Sequence, residues 1–249
     1  MAMNLICNYS AVVSLNAVDH VLGAPNDQVF GVQGGLYQIP RASTILGICV
    51  AMDAPTRCRL DIPSLRTISL PHVDPMNGVL PLANRPAVWL PGNTGPRVQA
   101  TEEYRILVDR LGIADGPAFA ATWISDTPVQ PVTGNMFKLR MTTSIVTGAG
   151  LWNNGDGTLA ERLPFGNYQV VGLQTYGTGV FASRLIFSDS ANRPGNVGRS
   201  AQGTWGDGLF TNGRMGLLGT FQNYTVPRLE IFGHATTGTQ VTYLDIIKV

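Results

Sequence analysis

The chain has 249 residues, of which 44% are apolar and 13% charged, and 17 basic against 16 acidic residues leave a formal net charge of +1. This composition excludes a disordered chain, and no apolar run approaches the roughly 18 residues of a membrane span. No block of Lys and Arg is present to bind nucleic acid by releasing counterions, so we expect no specific nucleic acid binding. The 29 glycines and 16 prolines argue against long helices.

The first half of the chain predicts short strands between turn signals. Residues 1–11 carry no charge and so lack the basic start of a signal peptide, which predicts that the protein is made and assembled in the cytoplasm. Residues 98–111 also allow a short helix, but the internal repeat described below favours a strand. The strands are predicted at residues 5–15, 43–52, 56–62, 87–90, 103–111 and 119–124. Residues 126–134, with Pro128 and Pro131, form the natural linker.

The second half reads as a more regular series of strands. Asn153-Asn154-Gly155-Asp156-Gly157 contains Asn-Gly and Asp-Gly in succession, which predicts a hairpin turn. Gly177-Thr178-Gly179 predicts a tight turn, because the strand character after it does not supply the helix of a dinucleotide site. A further turn is predicted at Thr236-Thr237-Gly238 and a loop at residues 188–203. The strands are predicted at residues 137–146, 168–176, 180–187, 217–224, 228–234 and 240–249.

An internal repeat with a spacing of 125 residues relates the two halves. Three short segments recur, and in the third the charge changes sign: Ile45-Leu46-Gly47-Ile48 as Val170-Val171-Gly172-Leu173, Arg59-Leu60 as Arg184-Leu185, and Tyr104-Arg105-Ile106-Leu107 as Leu229-Glu230-Ile231-Phe232. Each copy has room for roughly eight strands, and eight strands in two facing sheets form a jelly roll. We therefore predict an all-β chain of two tandem eight-stranded jelly rolls, at residues 1–125 and 135–249, joined by a linker at 126–134.

Few residues point to chemistry. The repeated Arg59 and Arg184 lie inside apolar strands, which predicts that each meets a carboxylate or backbone carbonyls. We assign no catalytic, cofactor-binding or metal-binding residue and expect no enzyme. The histidines are dispersed (His20, His72, His234). Glu102 with Glu103, or Asp156 with Glu161, are the acids that a glycosidase pair would use, but the sequence gives no distance between them and isolated exposed acids are the usual case.

The three cysteines, Cys7, Cys49 and Cys58, lie in or beside apolar segments. Buried thiols in a reducing compartment are favoured over a disulfide. A bond between Cys49 and Cys58 requires that they face each other across a hairpin, and the sequence leaves their redox state open.

Five segments of the second half together carry a resemblance to a known family: Gly166-Asn167-Tyr168-Gln169-Val170-Val171-Gly172, Ala182-Ser183-Arg184-Leu185-Ile186-Phe187, Arg193-Pro194-Gly195, Gly216-Leu217-Leu218-Gly219-Thr220-Phe221 and Pro227-Arg228-Leu229-Glu230. The resemblance is to the major capsid proteins of tailless icosahedral phages built on the double jelly roll. It implies a homotrimer in which three duplicated subunits mimic a hexagon. Such trimers contact one another and other virion proteins in an icosahedral shell, commonly over an internal lipid membrane. The expected location is the virion, assembled in the host cytoplasm.

Two other functions remain open from the sequence. A minor capsid, spike or glycan-binding β-sandwich module would use exposed aromatic side chains in one groove. A carbohydrate-active β-sandwich enzyme would need two of the four acids named above at catalytic distance. The shell subunit is favoured because its mechanism is geometric and requires no catalytic residue.

Overall fold

A computed structural model describes residues 3–23, 31–33, 36–39, 41–52, 56–63, 72–73, 85–88, 97–111, 114–147, 150–155, 157–177, 180–188, 190–197, 211–233 and 236–249. Within these ranges the chain is all-β and contains no α-helix. No helix there has the length and apolar character needed to traverse a bilayer. Contacts divide the chain into an N-terminal unit, Ile6–Asp126, and a C-terminal unit, Thr127–Val249 together with residues 3–5.

The N-terminal unit consists of two antiparallel sheets. Its strands are β1 (Met3–Val13), β2 (His20–Val21), β3 (Gly31–Gln33), β4 (Leu36–Gln38), β5 (Ser43–Met52), β6 (Thr56–Asp61), β7 (His72–Val73), β8 (Arg85–Val88), β9 (Arg97–Val98), β10 (Glu103–Arg110) and β11 (Gly116–Ser125). One sheet has the order β1-β11-β5-β8, and β9 also pairs with β5. The other has the order β3-β4-β10-β6-β7, and β2 also pairs with β10. Buried side chains of both sheets form one core, including Ile6, Ile45, Ile48, Ile106, Val108 and Ala120.

The C-terminal unit has the same construction. Its strands are β12 (Phe137–Thr147), β13 (Trp152–Gly155), β14 (Thr158–Leu159), β15 (Asn167–Tyr176), β16 (Val180–Ile186), β17 (Gly195–Val197), β18 (Gly219–Gln222), β19 (Arg228–Gly233) and β20 (Thr236–Lys248). The two sheets have the orders β14-β12-β20-β15-β18 and β13-β19-β16-β17. A buried hydrogen bond connects the two sheets: the side-chain amide of Asn196 in β17 donates to the backbone carbonyl of Leu173 in β15 at 3.0 Å. Alternate residues of the strands fill the core, among them Leu139, Met141, Leu185, Leu229, Ile231, Leu244 and Ile246.

A β-bulge occurs at the repeated glycine in both units. The ladder between β5 and β11 skips Leu46, the residue before Gly47. The ladder between β15 and β20 skips Val171, the residue before Gly172. A bulge bends the strand and changes its twist at a defined position, and bulges recur at the same positions within a fold. Their recurrence at the same place in the repeat supports the equivalence of the two segments.

In the third segment of the repeat, the strand pairing differs by two residues from the pairing that the 125-residue spacing would give. Leu60 of β6 lies opposite Ile106 of β10. Its counterpart Leu185 lies opposite Leu229, whereas a strict spacing of 125 would place it opposite Ile231. Because side chains alternate with a period of two, this slip leaves the same face of each strand toward the core.

Two turns predicted from local sequence are strands in the structure. Asn153, Asn154 and Gly155 belong to β13, which pairs with β19 from Trp152 opposite Phe232. Residues 236–238 open β20 and pair with the end of β12. In both places the available ladder partner overrides the local turn preference. The alternative helix at 98–111 is β10, paired on both sides.

Of the predicted linker, residues 126–134, the part from 127 onward packs within the C-terminal unit. Val129 is 6% exposed, and the amide of Val132 donates to the carbonyl of Gly213 at 2.9 Å. Gly213 has a φ of 70°, and a Cβ there would collide with the Val132 carbonyl oxygen. Only glycine therefore allows the two segments to approach so closely.

The ladders separate two of the cysteines. Cys49 lies in β5 opposite Ala121, and Cys58 lies in β6 opposite Val108. The two residues therefore belong to different sheets and do not face each other across a hairpin. Cys7 is a buried thiol in the N-terminal unit.

Candidate assembly surfaces

Three of the four acids considered for catalysis lie in described segments. Glu102 accepts a hydrogen bond from the Gln99 amide at 2.8 Å and so stabilises the turn before β10. Glu103 lies opposite Gln38 in the β10–β4 ladder. Glu161 is exposed in the C-terminal unit, and Asp156 lies outside the described residues.

Two of the three histidines lie in described segments of the N-terminal unit. His20 shares a hydrogen bond with the Ser10 hydroxyl at 3.2 Å, and His72 lies opposite Arg59 in the β7–β6 ladder. His234 lies outside the described ranges. Across the residues that the structure describes, no three His, Cys, Asp or Glu side chains lie together in a group that could hold a metal ion.

The repeated arginine of the C-terminal unit meets a carboxylate, as predicted. Arg184 Nε donates to Glu230 Oε2 at 2.6 Å across the β16–β19 ladder, and both side chains are largely buried, at 5% and 14% exposure. The guanidinium carbon also lies 4.0 Å from the ring centre of Trp152, a distance at which a cation is attracted to an aromatic face. Arg184 therefore joins three neighbouring strands. The side chain of Arg59 lies outside the described residues.

The N-terminal unit has an ion pair between the equivalent strands, with its charges exchanged. Arg105 Nε of β10 donates to Asp61 Oδ2 of β6, and the two residues lie opposite each other in the ladder. Arg105 is the residue that corresponds to Glu230 in the repeat, so the change of sign seen in the sequence keeps a cross-strand pair. Because Arg105 is 35% exposed, its ion pair contributes less to stability than the buried pair of Arg184 and Glu230.

Among the described residues, one cluster of exposed apolar side chains lies at one end of the C-terminal unit. The Phe165 cluster consists of Phe165, Tyr224 and Val249, which are 83%, 69% and 63% exposed. Backbone hydrogen bonds bring its segments together: the amide of Asn223 donates to the Gly166 carbonyl at 3.1 Å, and the amide of Val249 donates to the Asn167 carbonyl at 3.0 Å.

The Phe165 cluster rests on a rigid aromatic support. The buried Tyr168 donates its hydroxyl to the Pro164 carbonyl at 2.7 Å, which holds the loop that carries Phe165. Its ring stacks on Phe221 with a centroid distance of 5.4 Å. Phe165 is thus presented to solvent by an ordered loop, which lowers the entropy cost of burying it against a partner.

The second cluster lies on the N-terminal unit. The Val18 cluster consists of Val12, Leu15, Val18 and Leu111, which are 60%, 41%, 72% and 60% exposed. Its loop is fixed at both ends, because the Leu15 amide donates to Asp115 Oδ1 at 2.7 Å and the Arg110 amide donates to the Ala17 carbonyl at 2.9 Å.

Sequence reasoning did not single out either cluster. Each is assembled from segments that are far apart in the chain, so no local window contains it. One sequence signal was available: Leu163-Pro164-Phe165-Gly166 places a large aromatic residue in a turn, where burial is uncommon. Contiguous exposed apolar side chains commonly mark interaction sites.

Comparisons with known proteins give structural likenesses but no match in sequence. No protein-family model matches the chain, and no curated protein matches it in sequence. Among solved structures, the chain is similar to the major capsid protein P2 of bacteriophage PM2, with 11% sequence identity and a TM-score of 0.26. The alignment covers 99% of this chain and 97% of the phage protein.

Proposed function

We propose that the chain is a major capsid subunit made of two tandem jelly rolls, three copies of which form a pseudo-hexagonal trimer. The observation that carries the proposal is the strand order, which is the same in both units. In an eight-stranded jelly roll, the first, eighth, third and sixth strands form one sheet, and the second, seventh, fourth and fifth form the other.

The C-terminal unit supports this assignment strand by strand. With β12, β13 and β15–β20 taken as the eight strands, its sheets have the orders first-eighth-third-sixth and second-seventh-fourth-fifth, and β14 is an addition at one edge. In the N-terminal unit the same two orders are obtained as β1-β11-β5-β9 and β2-β10-β6-β7 when β3, β4 and β8 are taken as additions to the eight strands. The shared bulges before Gly47 and Gly172 add support. The proposed limits are residues 1–125 and 135–249, joined by residues 126–134. By contacts, residues 3–5 of β1 and residues 127–134 group with the C-terminal unit.

The duplication of the unit within one chain suits this fold to the assembly of a shell. A chain with two similar units offers two similar sides, so three chains in a ring offer six. Such a ring closes through head-to-tail contacts, in which one patch meets a different patch on the next copy. Weaker contacts between trimers then tile a surface. The resemblance of the sequence to double jelly-roll capsid proteins supports the same role, with the virion as location and other virion proteins as partners.

The test is the mass of the purified protein in solution. Light scattering over a range of concentrations should give three times the chain mass of 26.7 kDa, or larger multiples of that trimer. A mass of one chain at every concentration up to the solubility limit would refute the proposal. A monomer that is retained on a glycan array would instead favour a glycan-binding module using exposed rings such as Tyr224.

A further inference from the structure

We propose that the interior of the C-terminal unit binds ordered water at Gln240 and Thr143. Thr143 of β12 lies opposite Gln240 of β20 in the ladder, and both side chains are buried, at 1% and 0% exposure. They lie on the core face of their strands, which also carries Leu139 and Leu244. The site is therefore internal to one unit and independent of the assembly of the chain into a trimer.

The two side chains carry three polar atoms that need a partner. Among the described residues, Gln240 Nε2, Gln240 Oε1 and Thr143 Oγ1 make no hydrogen bond. The amide offers two N–H donors and a carbonyl acceptor, and the hydroxyl both donates and accepts. Native proteins pair the great majority of such buried groups with protein atoms or with ordered water, because an unpaired group has lost its hydration without compensation.

A chain of buried hydroxyl groups continues from this pair to the opposite sheet. Thr242 lies two residues after Gln240 on the same face of β20, and its hydroxyl shares a hydrogen bond with that of Thr175 in β15 at 3.0 Å. The Thr175 hydroxyl also shares one with Ser183 of β16, in the other sheet, at 2.7 Å. This polar strip crosses the core, is bonded directly at Thr175, and leaves Gln240 and Thr143 as its unpaired end.

The corresponding position of the N-terminal unit is apolar. The bulges align β20 with β11, because Asp245 and Trp123 are the ladder partners of the two repeated glycines. Counting back from these partners places Gln240 at the position of Ala118, which belongs to the apolar core. The jelly-roll fold itself therefore does not require a polar residue there, and the proposed water site is a property of the C-terminal unit.

The chemistry and the size of the site favour water over another ligand. Gln240 and Thr143 are neutral and present both donors and acceptors, which suits a neutral molecule that also does both. An added Cβ at Gly177 would lie 2.7 Å from Gln240 Cγ, and one at Gly155 would lie 2.8 Å from Thr143 Cγ2. Since not even a methyl group fits at these glycines, these sides of the site leave no room for a larger molecule.

The hydrogen-bonding capacity of water matches the three atoms. A buried water typically makes about three hydrogen bonds to groups that are otherwise unpaired. One water that accepts from Gln240 Nε2 and donates to the Thr143 hydroxyl, and a second that donates to Gln240 Oε1, would satisfy all three atoms.

The direct test is a crystal structure of the full chain at a resolution that shows ordered water. Water density is expected within about 2.7–3.2 Å of the Gln240 amide and the Thr143 hydroxyl. A Gln240 side chain that bonds directly to Thr143 or to the backbone, with no water beside it, would overturn the assignment.

Oxygen-17 relaxation dispersion of water, which counts long-lived internal waters, gives the test in solution. Thr143→Val combined with Gln240→Met keeps the shape of the core and removes the three polar atoms, so the count should fall by about one or two waters per chain. Thr142→Val is the matched control, because Thr142 is half-buried on the other face of β12, and it should leave the count unchanged.

Circular dichroism melts establish that both variants are folded. An unchanged count in the folded double variant would overturn the assignment. If the double variant does not fold, the crystal structure of the wild type decides alone.

Discussion

Removal of the carboxylate at Glu230 should strongly destabilise the C-terminal unit. Arg184 and Glu230 are 5% and 14% exposed and are joined at 2.6 Å, so Glu230→Ala leaves a buried guanidinium beside Trp152 without its carboxylate. Breaking a buried pair by deleting one partner costs about 3–5 kcal/mol. For a unit of this size, that loss lowers the melting temperature by about 10 °C or more. The measurement is denaturant unfolding of the full chain, with scanning calorimetry to locate the transition.

Two controls separate the buried pair from a general effect of charge removal. Arg41→Ala removes an exposed charge, because the Arg41 side chain is 78% exposed and lies 3.4 Å from Asp126 Oδ2, and it should cost less than about 1 kcal/mol. Arg184→Met combined with Glu230→Leu removes both buried charges and should recover most of the loss. If Glu230→Ala costs no more than Arg41→Ala, the reasoning from burial is refuted.

Further predictions concern two glycines, a tyrosine and a cysteine. Gly195→Ala should lower the free energy of unfolding by about 2 kcal/mol or more, because its Cβ would collide with the Ser183 carbonyl oxygen and lie 2.7 Å from the Leu5 side chain. Gly134→Ala should lower it by less than about 1 kcal/mol, since its Cβ meets only the flexible end of a side chain at 3.2 Å. Equal losses for the two variants in chemical denaturation would contradict this reasoning. Burial raises the pKa of Tyr9 above its ordinary value of about 10. The folded state then holds the phenol proton more tightly, so stability should fall as the pH rises above about 10 through the folded pKa, and Tyr9→Phe should flatten that slope in alkaline melts. The buried Cys7 thiol should react with alkylating reagents far more slowly in native than in unfolded protein, as mass spectrometry of the labelled peptide can measure.

Strands with a strong local pattern could be predicted from the sequence. Residues 43–52 were predicted with the limits of β5, and residues 168–176 miss β15 by one residue. Both segments are rich in β-branched and aliphatic residues and end at turn signals, so propensity and tertiary pairing agree. The all-β class follows from such segments, and the structure confirms it for the described residues.

Elements that depend on distant partners could not be predicted. β13 contains Asn153, Asn154 and Gly155, whose local preference is a turn, and only the ladder with β19 makes them a strand. Two-residue strands such as β2 and β7 have too few residues to show a period. The Phe165 cluster was missed for a related reason, because Phe165 and Tyr224 become neighbours only when β15 pairs with β18.

The most direct test of the central claim is electron microscopy of the purified oligomer. If three duplicated chains form a pseudo-hexagonal ring, class averages of the face view should show six similar lobes with threefold symmetry. The lobes should alternate in fine detail, because the two units of each chain differ in their loops and edge strands. Particles with twofold symmetry, with three lobes, or with the size of a single chain would contradict the account.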